Sequence, residues 1–111
     1  MKRSLTRWKK DEIRRVLQRA RLIIKNKHLD IRVTPKSGSI ARLLVVTPRA
    51  AGNAVKRNQF RRRVRALFHE LNLAQGAHDW IIFAKPNVAE LSFTQLRELL
   101  SEVARSLSVP A

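Results

Sequence analysis

The 111-residue chain contains no cysteine, and its longest apolar run is the five residues Trp80–Ala84. Without cysteine there is no disulfide framework, no thiolate nucleophile and no cysteine-based zinc site. Five apolar residues are far too few to span a membrane, and the basic segment Met1–Lys10 lacks the apolar stretch of a secretory signal. An organelle transit peptide is compatible with that basic start, but no separable linker follows it. We therefore expect a cytoplasmic location and no membrane partner.

Acidic residues are also scarce: 8 Asp and Glu stand against 24 Lys and Arg, for a formal net charge of +16. Self-repulsion at this charge opposes compaction unless an anionic partner offsets it. Arg is the more frequent cation, and its planar donor fork binds phosphates and stacks on bases, which favours nucleic acid over a membrane surface. With 44% hydrophobic residues, the chain is predicted to form one globular domain over residues 1–111.

Hydrophobic periodicity predicts three elements in the first half of the chain. Apolar residues at intervals of three and four predict an amphipathic helix from about Lys10 to Ile24. Strict alternation predicts a half-buried strand at Leu29–Pro35, and a β-branched apolar run predicts another at Ala41–Pro48. The turn between these two strands indicates a hairpin.

Three further elements are predicted in the second half. A basic helix runs from about Ala54 to Leu73, and Asp79–Pro86 is apolar at both alternating sets of positions, which indicates a central strand buried on both faces. A last helix begins near Ser92, whose hydroxyl forms a capping box with Gln95. Helix, strand, strand, helix, strand, helix is the pattern of an α/β sandwich with helices on a small sheet.

The basic helix carries the most information about function. Its apolar residues recur on one side and mark the buried seam: Phe60, Val64, Leu67, Phe68 and Leu71. The opposite face gathers Asn58, Arg61, Arg62 and Arg65. A solvated helix would relieve repulsion between neighbouring arginines with interleaved Glu, yet no acidic residue occurs between Gly52 and Glu70. This face is therefore predicted to bind RNA or DNA.

The sequence is compatible with several other interpretations. The basic helix is compatible with a merely solvated face, a nuclear-localisation patch, a calmodulin-type target or a helix on anionic lipid. The histidines, His28, His69 and His78, show no metal-ligand spacing, and the chain has no glycine-rich phosphate loop, which disfavours an independent nuclease. We predict no metal held by the protein. Trp80 is predicted to be a core residue. Trp8 is equally compatible with a core position and with stacking on a base.

The stretch GNAVKRNQFRRRVRALFHE, residues 52–70, resembles the signature of the bacterial ribonuclease P protein family. In that family a Gly-Asn-Ala-Val turn leads into a basic helix centred on Arg-Asn-Arg. The resemblance covers most of the chain and is strongest from Ala41 to Pro86. Gln59 stands at the third position of the Arg-Asn-Arg core, and Pro48 replaces the Lys that precedes the position of Arg49; both changes remove a charge.

This resemblance implies a protein cofactor of a ribozyme. In the family, the RNA subunit cleaves precursor tRNA with bound Mg²⁺ and releases the 5′ leader, so the chain is expected to be an endoribonuclease subunit without catalytic residues of its own. The expected partners are ribonuclease P RNA and precursor tRNA, with no small-molecule substrate. The motif positions expected to contact the catalytic RNA are Arg49, Lys56, Arg57, Asn58, Arg61, Arg62 and Arg65.

The family resemblance implies a second surface as well, a cleft between the first helix and the sheet that receives the single-stranded leader on aromatic side chains. The matching positions here are Ile13, Leu17 and Arg32. Arg can stack on a base through its guanidinium plane, so Arg32 is expected to take the place of the family's aromatic residue.

For the fold, the resemblance implies an α+β sandwich with a four-stranded sheet and a left-handed βαβ crossover, against the usual right-handed preference. Only three strands are evident from the pattern, so the fourth is expected either near Pro48 or in a segment that the pattern assigns otherwise. The alternative function is that of a small basic ribosomal or DNA-architectural protein with no role in tRNA processing.

Overall fold

The computed structural model describes residues 8–108. The three helices are α1 (Lys10–Arg19), α2 (Ala54–Glu70) and α3 (Phe93–Ser108). The four strands are β1 (Arg21–Lys25), β2 (Leu29–Pro35), β3 (Leu43–Val46) and β4 (His78–Ala84). The order along the chain is therefore α1-β1-β2-β3-α2-β4-α3, which confirms the predicted α+β class with a four-stranded sheet. None of the described helices is long and apolar enough to cross a membrane.

The strands form one mixed sheet in the order β1-β2-β4-β3. β4 occupies an inner position, antiparallel to β2 and parallel to β3, and its side chains are mostly buried, as predicted for a strand covered on both faces. The chain passes from β3 to its parallel neighbour β4 through α2. The left-handed sense of this crossover stays a prediction from the family resemblance.

Two sequence-based predictions are wrong. The first helix ends at Arg19 rather than near Ile24, and the residues that follow form β1, which is the fourth strand; it does not lie near Pro48. The predicted hairpin between the second and third strands does not exist, because β4 inserts between β2 and β3. The partner of β2 along the chain is β1, paired antiparallel from Arg21↔Val33 to Lys25↔Asp30.

The core lies between one face of the sheet and the helices α2 and α3. Alternate residues of the two central strands point into it, and α2 and α3 contribute their apolar seams. Trp80 is buried there with its ring edge-on to Phe68, 6.4 Å between centroids, which confirms its predicted core role. The start of α3 is also confirmed: the Ser92 N–H donates to Gln95 Oε1 at 2.9 Å, and the Gln95 N–H donates to Ser92 Oγ at 3.1 Å.

Helix α1 lies over the opposite face of the sheet, and polar contacts join its first turn to the strands. It buries no residue fully. Arg42, just before β3, donates from NH1 to Glu12 Oε2 at 3.0 Å, and its guanidinium lies 3.9 Å from the centroid of the Trp8 ring. The Trp8 Nε1–H in turn donates to the Leu43 carbonyl at 3.0 Å, so this ring packs within the protein. Arg42 therefore joins the start of α1 to the sheet.

The carboxylate of Glu12 responds to this arrangement. The backbone N–H of Lys9 donates to it at 3.0 Å, and this hydrogen bond, followed by the one from Arg42, lowers the pKa of Glu12 below its ordinary 4.5. A group with a lowered folded-state pKa stabilises the fold above its unfolded pKa and loses that contribution as the pH falls through the folded value. The anchor of α1 thus weakens only in acid.

Candidate nucleic-acid interface

The start of α2 is fixed by Gly52 and Asn53. Gly52 has φ 136° and ψ −176°, a backbone conformation that L-residues with a side chain rarely adopt. Asn53 follows as the N-cap, and its Oδ1 accepts the backbone N–H of Lys56 at 2.9 Å. The Gly-Asn pair therefore sets the direction in which α2 leaves the preceding loop.

We expect Gly52→Ala to lower the free energy of unfolding by about 2 kcal/mol, because the methyl group is strained at this φ. A Cβ here would also lie 3.3 Å from the Lys56 Cβ, which is tight. Urea unfolding followed by circular dichroism measures the change. Gly38→Ala, where a Cβ meets no atom within 4 Å, is the matched control and should stay within about 0.5 kcal/mol of the wild type. Equal stability of the two variants would contradict the strain argument.

One side of α2 is held against the core. Phe60, Val64, Leu67 and Phe68 are all buried, as the apolar seam predicts, and Leu71 just beyond the helix is half-buried. A helix with such a seam has a fixed rotation about its axis, so the opposite residues face outward. The seam predicted from the sequence is thereby confirmed.

The outward face of α2 is formed by Asn58, Arg61, Arg62 and Arg65, which we call the arginine face. Asn58, Arg62 and Arg65 are exposed, and Arg61 is half-buried. The Arg61 guanidinium donates to Thr47 Oγ1 and to Asn58 Oδ1, so its position is set by its neighbours before any partner arrives. Such pre-organisation lowers the entropic cost of binding, because the side chain is already ordered.

Carboxylates do not neutralise the arginine face. Among the described residues, no ion pair reaches Arg61, Arg62 or Arg65. The acidic residue at the end of α2, Glu70, pairs instead with Arg97 of α3. The other ion-paired carboxylates likewise have partners outside α2: Glu12, Asp30, Asp79 and Glu90. The positive charge of this face is therefore left for a partner.

The remaining predicted contacts flank the arginine face at its N-terminal end. Arg49 lies exposed in the turn Arg49–Ala51, and Lys56 is exposed on the first turn of α2. Arg57 is half-buried, and its Nε has no hydrogen-bond partner in the described part of the chain. An unsatisfied buried donor is costly unless something accepts from it, so Arg57 is placed to gain from an anionic partner. The contact of all these residues with RNA stays a prediction.

A second concave surface lies between α1 and the sheet. Leu17, Asp30, Arg32 and Phe83 line a cleft of about 360 Å³. The structure thus brings together two of the three residues predicted for the leader cleft; the third, Ile13, is half-buried on α1 and does not line it. Arg32 NH1 lies 3.6 Å from Asp30 Oδ2, so one edge of its guanidinium is paired within the cleft.

Phe83 is the cleft residue that the sequence analysis missed. It is half-buried on β4, directly opposite Asp30 of β2 and Val46 of β3. In the structure Trp80, Ile82 and Ala84 belong to the core, whereas Phe83 lies on the other face of β4. Because both faces of β4 are apolar, the sequence pattern did not single it out. It supplies the cleft with the aromatic ring that the helix positions Ile13 and Leu17 lack.

Residues 8–108 contain no group of three His, Asp or Glu side chains placed to hold a metal ion. The prediction that the protein itself holds no metal stays a prediction.

Comparisons with known proteins point to one family. The family model described as Ribonuclease P matches residues 1–108. The chain is 35% identical over 88 residues to the ribonuclease P protein component of Shouchella clausii, covering 78% of this chain and 72% of the relative. It is 29% identical over 111 residues to that of Halalkalibacterium halodurans, covering 98% and 92%.

Solved structures show the same fold. The ribonuclease P protein of Staphylococcus aureus superposes with a TM-score of 0.79 at 21% identity, covering 95% of this chain and 96% of that one. The ribonuclease P protein of Thermotoga maritima gives a TM-score of 0.76 at 17% identity, covering 94% and 98%.

Proposed function

Because this chain belongs to the ribonuclease P protein family, we propose that its arginine face is the surface on which the ribonuclease P RNA docks. Members of the family are protein components of a ribonucleoprotein endoribonuclease that acts in tRNA processing, and this chain is such a component, a protein cofactor with ribonuclease P RNA as its partner.

One observation carries the proposal: α2 presents three arginines outward that no carboxylate of the described chain neutralises. Cations that replace the counterions condensed on RNA gain affinity from their release, and phosphate contacts fix the orientation of the RNA without reading its sequence. The bidentate fork of Arg suits that task better than Lys. On this proposal, Arg49, Lys56 and Arg57 extend the contact from the N-terminal end of α2.

For the substrate, we propose that the cleft of Leu17, Arg32 and Phe83 holds the 5′ leader of precursor tRNA. Single-stranded nucleic acid is bound without sequence preference when bases stack on flat side chains inside a basic groove. Phe83 offers the ring, and Arg32 offers a guanidinium plane on the neighbouring strand. Leu17 supplies an apolar wall from α1.

We expect Phe83→Ala to weaken binding of a leader-bearing precursor tRNA to the holoenzyme about 10-fold, since stacking on an aromatic ring is worth roughly 1–3 kcal/mol per base. Mature tRNA without a leader should bind the variant as it binds the wild type. Phe83→Leu, which keeps an apolar side chain of similar size, is the control for packing and should behave like the alanine variant. An equal loss of affinity for mature tRNA would remove Phe83 from leader recognition.

We propose that Mg²⁺ acts through the RNA subunit, where it supplies the activated water and charge stabilisation for phosphodiester hydrolysis. The residues of this chain then contribute by binding and orientation: the basic surface lowers repulsion between the RNA subunit and its substrate. Less Mg²⁺ is needed when protein cations share that screening.

The experiment that tests the proposed function is reconstitution with a bacterial ribonuclease P RNA. We expect the purified chain alone to cleave no precursor tRNA, and the chain with the RNA to reach half-maximal rate at several-fold lower Mg²⁺ than the RNA alone. A random DNA duplex serves as competitor. If the chain leaves the Mg²⁺ requirement unchanged and binds the duplex as tightly as the RNA, a general architectural role replaces this proposal.

A further inference from the structure

A second pocket lies on the other side of α1 from the leader cleft. It has a volume of about 310 Å³ and lies where the C-terminal end of β2 meets the start of β4. Its residues come from α1, from the end of β2 and the turn after it, from the position just before β3 and from β4: Glu12, Arg15, Val16, Arg19, Thr34, Pro35, Lys36, Ser37, Arg42 and Asp79. That volume holds an anion together with several waters, at about 30 Å³ for each water.

The two sites are separated by α1 itself. Thr34 pairs with Asp79 in the pocket, and Asp30 pairs with Phe83 in the leader cleft, four residues along the same strands. At about 3.3 Å per residue the two rows lie roughly 13 Å apart. On α1, the residues that line the pocket are centred about 150° around the helix from Leu17, given 100° per residue.

The charges of the pocket are unbalanced. Arg42 forms ion pairs with Glu12 at 3.0 Å and with Asp79 at 3.9 Å. Together these three side chains carry one net negative charge. Arg15 and Arg19, one helical turn apart, form no ion pair within residues 8–108. Lys36 donates from Nζ to the Ser39 carbonyl at 3.1 Å and has no carboxylate partner there either.

The wall of the pocket carries an unused hydroxyl. Thr34 is 4% exposed, lines the pocket and forms no side-chain hydrogen bond with any described residue. The Thr34 oxygen does not belong to the fully buried polar atoms without a partner among the described residues, so it stays accessible from the pocket, where a ligand or a water can accept its hydrogen bond. Its neighbours along the wall, Lys36 and Ser37, are a cation and a second hydroxyl.

From these contacts we propose that the pocket binds a phosphate group. Arg15, Arg19 and Lys36 supply the charge, and the Thr34 hydroxyl donates from the wall. Arg42, which is paired with Glu12 and Asp79, holds the floor of the pocket in place and does not bind the phosphate. The group is either a backbone phosphate of an RNA strand that passes α1 on this side or a free inorganic anion. This proposal rests on the pocket alone and is independent of the role of the arginine face.

The first test is a titration of the full chain with inorganic phosphate, followed by the NMR shifts of the backbone amides of residues 34–37. We expect a saturable shift in the wild type, weakened about 10-fold in the Arg15→Ala, Arg19→Ala double variant, because two charge-assisted contacts are lost. The control is Arg14→Ala with Arg21→Ala, which removes the same charge from exposed residues outside the pocket and should stay within about twofold.

Thr34→Val removes the hydroxyl while keeping the shape of the side chain. We expect it to weaken phosphate binding about 10-fold, since a hydrogen bond to a charged group is lost. The same variants, assembled with ribonuclease P RNA and precursor tRNA, separate the two sources. If the slope of log affinity against log salt falls by about one contact in the Arg15, Arg19 double variant, the bound phosphate belongs to the RNA. If the slope is unchanged, the pocket binds a free anion. No saturable shift in the wild type, or an equal shift in all variants, would overturn the proposal.

Discussion

Arg62→Ala combined with Arg65→Ala is expected to weaken binding of ribonuclease P RNA about 100-fold, roughly 10-fold for each residue. Both side chains are exposed on the arginine face and are unpaired with any carboxylate of the described chain. A hydrogen bond to a charged group is worth about 1.5 kcal/mol, and each lost phosphate contact also reduces counterion release. The plot of log affinity against log salt should therefore lose about two contacts in slope. Filter binding across a salt series measures both quantities.

The control removes the same formal charge from positions where it is already neutralised. Lys27 Nζ lies 3.6 Å from Glu90 Oε1, and Arg97 pairs with Glu70. Lys27→Ala with Arg97→Ala should therefore change RNA affinity by less than about threefold and leave the salt slope as it is. If the two double variants lose affinity to the same extent, net charge rather than the arginine face accounts for binding.

Arg42→Met is expected to lower the free energy of unfolding by about 3 kcal/mol. Arg42 is the contact through which Glu12 on α1 and Asp79 on β4 meet, and Asp79 is 1% exposed. Without the guanidinium, the one partner that Asp79 keeps among residues 8–108 is the Arg42 backbone N–H, which donates to its Oδ1 at 2.7 Å. An uncompensated buried charge is among the costliest changes a fold can suffer. The thermal midpoint should fall by more than about 10 °C.

A second variant shows whether the unpaired carboxylate is the cause. Asp79→Asn keeps an acceptor for the Arg42 N–H but carries no charge, so adding it to Arg42→Met should recover a part of the lost stability. If Arg42→Met melts within a few degrees of the wild type, the guanidinium does not anchor α1. If Asp79→Asn deepens the loss instead, the charge of Asp79 is stabilised by something other than Arg42.

The sequence pattern located most elements because each has its own periodicity, and it failed where a distant strand decided the outcome. Residues Arg21–Lys25 continue an apolar spacing that suits a helix, yet the backbone is already extended at Ala20. No glycine or proline marks this boundary; the pairing of β1 with β2 fixes it. Tertiary pairing of this kind overrides local propensity. The hairpin was wrongly predicted for the same reason: β2 and β3 are separated in the sheet by β4, a strand that follows much later in the sequence.

The candidate sites could be predicted from the sequence to different degrees, because a local pattern reports on one element and not on how distant elements come together. The arginine face was predicted residue by residue, because a single helix with a buried seam determines which side chains point outward. Phe83 was not, because β4 is apolar at both alternating sets of positions and the sequence does not say which face α1 leaves open. The phosphate pocket needs residues from α1, β2 and β4, and no local pattern brings these together.

The most direct test of the arginine face uses the absence of cysteine. Ala66→Cys, exposed on α2 beside Arg65, and Gln95→Cys, exposed on α3, each offer one attachment point for an iron chelate that generates hydroxyl radicals. In the assembled holoenzyme, we predict strong local cleavage of the ribonuclease P RNA from position 66 and little from position 95. Cleavage from position 95 with none from position 66 would contradict the assignment of α2 as the RNA-facing helix.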